Sequence, residues 1–235
     1  MEDLIAEFGD YLERFQKEQL FTGPSLYFHQ RTRCTLDRVR LLRHSDAQAV
    51  AACIEDDVFL ERLYATLTAW GLHRMGPRGV KLVNFKEFAE SIRQHREEIC
   101  DLASRRINLL RDAEVAPVAG KIWRLIAKLN IGSPRTTIVS GAKALHHVLP
   151  DLVPPIDRAY TLAFFFGPRV LAEAEEEHAF YLMYPQFRQI AVACKGAIDK
   201  RLAQPTEWDT STTKVIDNAI AGYVRVHRAT KPSDE

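Results

Sequence analysis

The stretch IGSPRTTIVSGAKALHHVLPDLVPPID, residues 131–157, gathers side chains suited to making and breaking bonds. It offers an amine at Lys143, imidazoles at His146 and His147, and a carboxylate at Asp157 behind Pro154 and Pro155. Proline fixes φ and so limits how far the carboxylate can wander. Asp157 precedes an apolar run at 158–166, where it reads as a helix N-cap, and a helix N-terminus favours the ionised form. A carboxylate held there stabilises positive charge growing on a neighbouring carbon, or activates a water from one face. Lys143 suits either attack on an electrophilic carbon or a contact with phosphate.

The elements that must position these groups are helical. Ser133-Pro134 has the form of an N-cap followed by proline at the first helical position. Val139-Ser140-Gly141-Ala142 is then expected as a tight connection, and 143–149 as a second short helix. Such a hairpin leaves backbone N–H groups open at the second helix's start, where they bind phosphate oxygens without a high net charge. Arg135, Ser140, Gly141 and Ala142 are the expected contacts.

The rest of the chain repeats the helical period. Leu4, Ile5, Phe8, Tyr11, Leu12 and Phe15 form one apolar stripe, and Phe59, Leu60, Leu63, Tyr64 and Leu67 another. WGLHRMGPRG at 70–79 breaks the pattern with three glycines and a proline. Helices are expected at 85–110, at 119–129, at 158–166 ending in Gly167-Pro168, at 170–202 with a kink or division at Pro185, and at 211–227. TEWDTSTT at 206–213 looks like a spacer, and no run of strict alternation occurs. The expected fold is all-α, a multi-helix globule without repeats.

Bulk properties narrow the class. At 235 residues and a formal net charge of +1, a nucleic-acid surface would need charge segregation, as in Arg31, Arg33, Arg38, Arg40 and Arg43. Cys34, Cys53, Cys100 and Cys194 share no metal-ligand spacing, so neither zinc nor an iron–sulfur cluster is expected. The amino-terminal segment is an acidic amphipathic helix unlike a signal peptide, and no apolar run approaches the ~20 residues of a membrane span. The expectation is a soluble protein of a reducing compartment, the cytoplasm or nucleoid, with no cofactor.

Gly141-Ala142-Lys143 followed by the proline arm to Asp157 resembles the helix-hairpin-helix DNA glycosylase superfamily, whose hairpin runs Leu-Pro-Gly-Val-Gly-x-Lys-x-Ala before an aspartate at a helix start. Val139 stands where the hairpin's first glycine belongs, and the interval from Lys143 to Asp157 is a few residues shorter than in the strand-nicking members. The resemblance implies two helical lobes around a central cleft, about 30–130 and 1–29 plus 131–235, with the hairpin at 133–149 and the catalytic arm at 150–158. It implies a monomer that flips a modified base out of duplex DNA and excises it, leaving an abasic site. Asp157 would carry the chemistry, with Lys143 either a nucleophile or a phosphate contact. His146, His147 and Arg158 would face the DNA backbone. Tyr27, Phe28, Trp70, His73, Arg74 and Trp123 are candidate walls for the extruded base. The base itself is open between a damaged one and a hypermodified phage base such as glucosylated hydroxymethylcytosine. A non-catalytic DNA-binding protein keeping only the hairpin is the alternative.

Overall fold

In a computed structural model of the chain, which describes residues 1–18, 23–72, 81–132 and 137–229, the apolar stripes turn into helices that face one another. α1 (Glu2–Ala6) and α2 (Phe8–Glu18) bury Leu4, Phe8, Tyr11, Leu12 and Phe15. α3 (Pro24–Leu41) opens on a proline at the first helical position. Ser45 caps α4 (Asp46–Glu55), Asp56 caps α5 (Asp57–Leu67), and Asn84 caps α6 (Phe85–Gln94), each by accepting a backbone N–H. α7 (Arg96–Cys100), α8 (Asp112–Lys128) and α9 (Thr137–Val148) follow. After the arm, a wide turn at Arg158–Leu162 leads to α10 (Ala163–Phe166), α11 (Glu173–Ala193), α12 (Lys195–Ala203) and α13 (Thr212–Ala229).

The protein is all-α: among the described residues the only extended pairing is an isolated bridge between Leu82 and Gly132. No helix among them is long and apolar enough to cross a membrane. α13 packs on α2, α3 on α5, and α8 on both α9 and α11. Most buried apolar side chains run in one cluster from Leu4 to Val224, and Phe15, Trp208 and Ala221 form a second, smaller one.

Several boundaries differ from expectation. The helix expected over 85–110 is broken into α6, α7 and a 3₁₀ turn at Ile107–Leu109, because the Ile107 N–H leaves helical pairing to bond the Asp151 carbonyl at 2.9 Å. Pro185 lies inside α11, and the break comes at Cys194 instead. Pro185 and Tyr181 are exposed, so the carbonyl that proline deprives of a donor faces water.

The largest correction concerns 139–142. Val139, Ser140, Gly141 and Ala142 form no connection; they are the interior of α9, in which every residue from Ile138 to Val148 is buried. Its polar side chains tolerate this enclosure because each finds a carbonyl: Lys143 that of Trp70, His146 that of Val153 and His147 that of Lys143. Gly141 serves close approach here: a Cβ would lie 3.0 Å from Ile126 Cγ2 and 3.1 Å from the Ile126 backbone on α8. The first turn of α9 meets the buried Glu176 of α11, which accepts the Ile138 N–H at 2.9 Å. The backbone N–H groups expected to stand open at the start of a second helix lie instead within this continuous one.

Candidate active site

The arm at 150–157 has few donors of its own, so the rest of the fold supplies partners for its carbonyls. Thr213 donates its hydroxyl to Pro150 at 2.6 Å, and Ile107 its N–H to Asp151 at 2.9 Å. Tyr184 reaches Leu152 at 3.3 Å, His146 Nδ1 reaches Val153 at 2.9 Å, and Thr161 reaches Pro155 at 3.4 Å. Donors from five different elements therefore fix this arm. At its end Asp157 accepts the Tyr160 N–H through Oδ1 at 2.7 Å, so it is the expected N-cap.

Asp157 also lines a cavity of about 230 Å³. Lys143, Lys214 and Asp217 are its other charged lining groups, and Trp70 and Trp208 its aromatic ones. That volume is below the ~300–1,000 Å³ of pockets for drug-sized ligands and suits one ring system. Trp70 sits in the turn Thr68–Leu72, where Gly71 takes φ +86°, a left-handed conformation that glycine adopts without cost. That reversal turns the Trp70 carbonyl toward Lys143, whose Nζ donates to it at 3.3 Å and lies 5.9 Å from the Trp70 ring centroid.

Trp208, Lys214 and Asp217 were not expected. The 206–213 spacer is a built part of the site: Asn218 Nδ2 donates to the Trp208 carbonyl at 3.2 Å and to Asp209 at 3.1 Å, and Arg201 pairs with Asp209 at 3.0 Å. Lys214 Nζ lies 2.6 Å from Asp217 Oδ2 in a buried pair. Burial, opposed by Lys214, pushes the Asp217 carboxyl above the usual range, and the Asp157 charge adds to that push.

Behind the aromatic wall lies a chain of imidazoles. A carbonyl only accepts, so His147 Nδ1, 2.8 Å from the Lys143 carbonyl, carries the ring proton. His147 Nε2 then accepts from His29 Nδ1 at 3.4 Å, and His29 Nε2 accepts from the Thr210 hydroxyl at 2.9 Å. His29 stacks on both Trp70 and Trp208, at 5.3 and 5.1 Å between centroids. Burial lowers all three imidazoles, His147 to about 4 and His29 and His146 well below the ordinary value, so the chain is neutral.

The structure thus brings Asp157, Lys143 and Trp70 together and separates other expected residues from them. His146 and His147 are buried supports of the arm and of α9, with no face toward a DNA backbone. Ser140, Gly141 and Ala142 are likewise enclosed. Trp123 is a core residue tilted against Phe180 at 5.8 Å. Tyr27 and Phe28 pack edge-on with each other, and Tyr27 is exposed with the Arg31 guanidinium 5.2 Å over its ring; neither lines the cavity, where α3 contributes Ser25. Arg158 is on the surface beside Asp157. His73, Arg74 and Arg135 lie outside the described residues. Arg33 and Arg40, expected to track a duplex, pair instead with Asp37 and Asp46. Among the described residues no three His, Cys, Asp or Glu side chains group as a metal site.

Compared with protein-family models, curated proteins and solved structures, the chain matches none.

Proposed function

We propose that the protein is a DNA glycosylase that excises a modified base by hydrolysis of its N-glycosidic bond. The observation that carries this reading is the convergence of a rigidly held carboxylate, Asp157, an ammonium, Lys143, and two indoles on one cavity the size of a single ring system. A base taken out of the helix needs aromatic or apolar surfaces to replace its stacking, and Trp70 and Trp208 offer them. As the bond to C1′ lengthens, its electron pair goes to the base and positive charge grows on the deoxyribose. Asp157 stabilises that charge and takes a proton from the water whose oxygen bonds to C1′. Oδ1 caps the helix, so Oδ2 is the oxygen that serves the reaction.

Lys143 then supports the charge balance of the site, and the product is an abasic site with the strand intact. The reading needs no metal or cofactor, takes double-stranded DNA as partner, and places a monomer in the bacterial cytoplasm or nucleoid. The base is a damaged one or a hypermodified phage base. Arg158, exposed beside Asp157, is the cation best placed to meet the flanking phosphate.

The test is incubation of the purified protein with duplexes and phage genomes carrying distinct modified bases, scoring alkali-revealed abasic sites and borohydride-trapped adducts. Abasic sites without an adduct are expected. A trapped adduct that disappears in Lys143→Gln would make Lys143 the nucleophile, and tight DNA binding with no product on any substrate would make the protein a binding module.

A further inference from the structure

We propose that Lys214 stabilises the departing base as an anion, so that the enzyme acts on uncharged bases and discriminates against cationic alkylated purines. This rests on the glycosylase reading above and adds to it the charge class of the substrate. Base loss separates charge in two directions, and Asp157 answers only the positive half, on the sugar. A neutral base departs with the bonding pair and needs a cation or proton donor near its ring; an alkylated purine is already cationic and leaves without one.

Lys214 stands where that cation is needed. Its Nζ lies 5.1 Å from the Trp208 ring centroid, 5.5 Å from that of Trp70 and 5.8 Å from that of Phe15. The two indoles are the cavity's stacking surfaces, so a ring laid on them meets the ammonium. Asp217 fixes the amine from one side and takes one of its three donors. Thr161 ties the pair to the catalytic arm, its hydroxyl 3.4 Å from Asp217 Oδ1 and 3.4 Å from the Pro155 carbonyl. A buried ion pair gains little stability over well-packed apolar residues, and this one lines a cavity where its charge can act.

The same groups repel a cationic base. Lys143 and Lys214 both lie within 6 Å of the Trp70 ring centroid, at 5.9 and 5.5 Å. Indole faces attract cations in general, but these already serve two. Asp217 is committed to Lys214 and Asp157 to the sugar, so a methylated purine would bring its positive charge to the two ammoniums beside the stacking surface with no carboxylate of its own.

The chemistry balances without a further reactant. The C1′–N bond breaks with its pair going to the base, Lys214 holds the resulting anion by charge and hydrogen bonding, and the base takes a proton from solvent on release. The water's hydroxyl stays on C1′, and its proton leaves through Asp157.

The experiment compares single-turnover base release from duplexes containing uracil, hypoxanthine or 8-oxoguanine with release from duplexes containing 7-methylguanine or 3-methyladenine. The expected result is release from at least one neutral-base duplex, ~10-fold or more faster than from either cationic one. Lys214→Met should slow the neutral base by ~100-fold and narrow that gap, while Lys214→Arg restores part of the rate. Across 5-substituted uracils, Lys214→Met should also steepen the dependence of rate on leaving-group acidity, which loss of mere structural support would not do. Preferential release of a cationic base overturns the inference and leaves the glycosylase reading standing; no release from any of these duplexes, nor from phage genomes carrying hypermodified bases, overturns both. If Lys214→Met does not fold, the wild-type selectivity decides alone.

Discussion

Asp157 holds a helix end with Oδ1 while the residue lines the cavity, and substitution separates the two roles. Asparagine keeps an oxygen for the Tyr160 N–H and loses the charge, so Asp157→Asn should retain fold and DNA binding. Its base release should fall by at least ~10²–10³-fold in a single-turnover assay. The imidazoles make a separate prediction. His29, His146 and His147 are held neutral by burial, so the folded protein binds fewer protons there than the unfolded chain. Their contribution is fully present above the ordinary histidine value near 6.5 and is lost as pH falls from there toward about 4, the value of His147. Urea midpoints measured across that window should therefore decline with acidification, and His147→Gln should flatten the decline. At this scale the sequence exposed Asp157, Lys143 and Trp70, because each sits beside a local breaker: the double proline, a glycine, a glycine turn. Lys214 and Asp217 carry no such mark. Three residues apart on a helix, they resemble a solvated pair, and only their place among the buried Val215, Ile216, Ala219 and Ile220 shows that they lie on the inward face.

Helices are where the sequence speaks most clearly, since apolar spacing and Ser, Asp and Asn caps are local signals. The hairpin departs from expectation for a reason that is equally physical. Ser140-Gly141 looks like a turn because glycine is costly in an exposed helix, yet here the helix is enclosed and the missing side chain lets α8 come close. Gly141→Ala should therefore destabilise the protein even though alanine is the better helix former. Its Cβ meets the backbone of Ile126, which cannot rotate away, and overpacking of this kind costs about 1–3 kcal/mol. Chemical denaturation should show a lower midpoint at unchanged slope. The opposite result, a gain from helix propensity, would mean that α8 and α9 are free to part. The polar residues of 206–213 suit a loop, but Asp209 uses its polarity internally, meeting Asn218 of α13, which also holds the Trp208 carbonyl.

For the molecule as a whole, all-α character followed from the absence of alternation, but the placement of charge did not follow from its run along α3. Arg33, Arg40 and Arg106 pair with Asp37, Asp46 and Asp151, so the arginine run does not face phosphates as a whole. Arg31, Arg38, Arg43 and Arg158 are exposed, and a duplex held by these four alone gives a log–log salt dependence of binding of about −4. Fluorescence anisotropy across a salt series measures that slope; a markedly steeper one would place the duplex on cations elsewhere in the chain. The cavity draws its wall from Trp70, its amine from Lys143, its carboxylate from Asp157 and its second ion pair from Lys214 and Asp217. These positions are far apart along the chain and meet only through tertiary packing. On the ribosome, then, a nascent chain that has already formed α5, α9 and the proline arm still has no complete cavity. It acquires one only after residue 217 has emerged and α13 has docked on α2, so no shorter nascent chain holds the cavity complete.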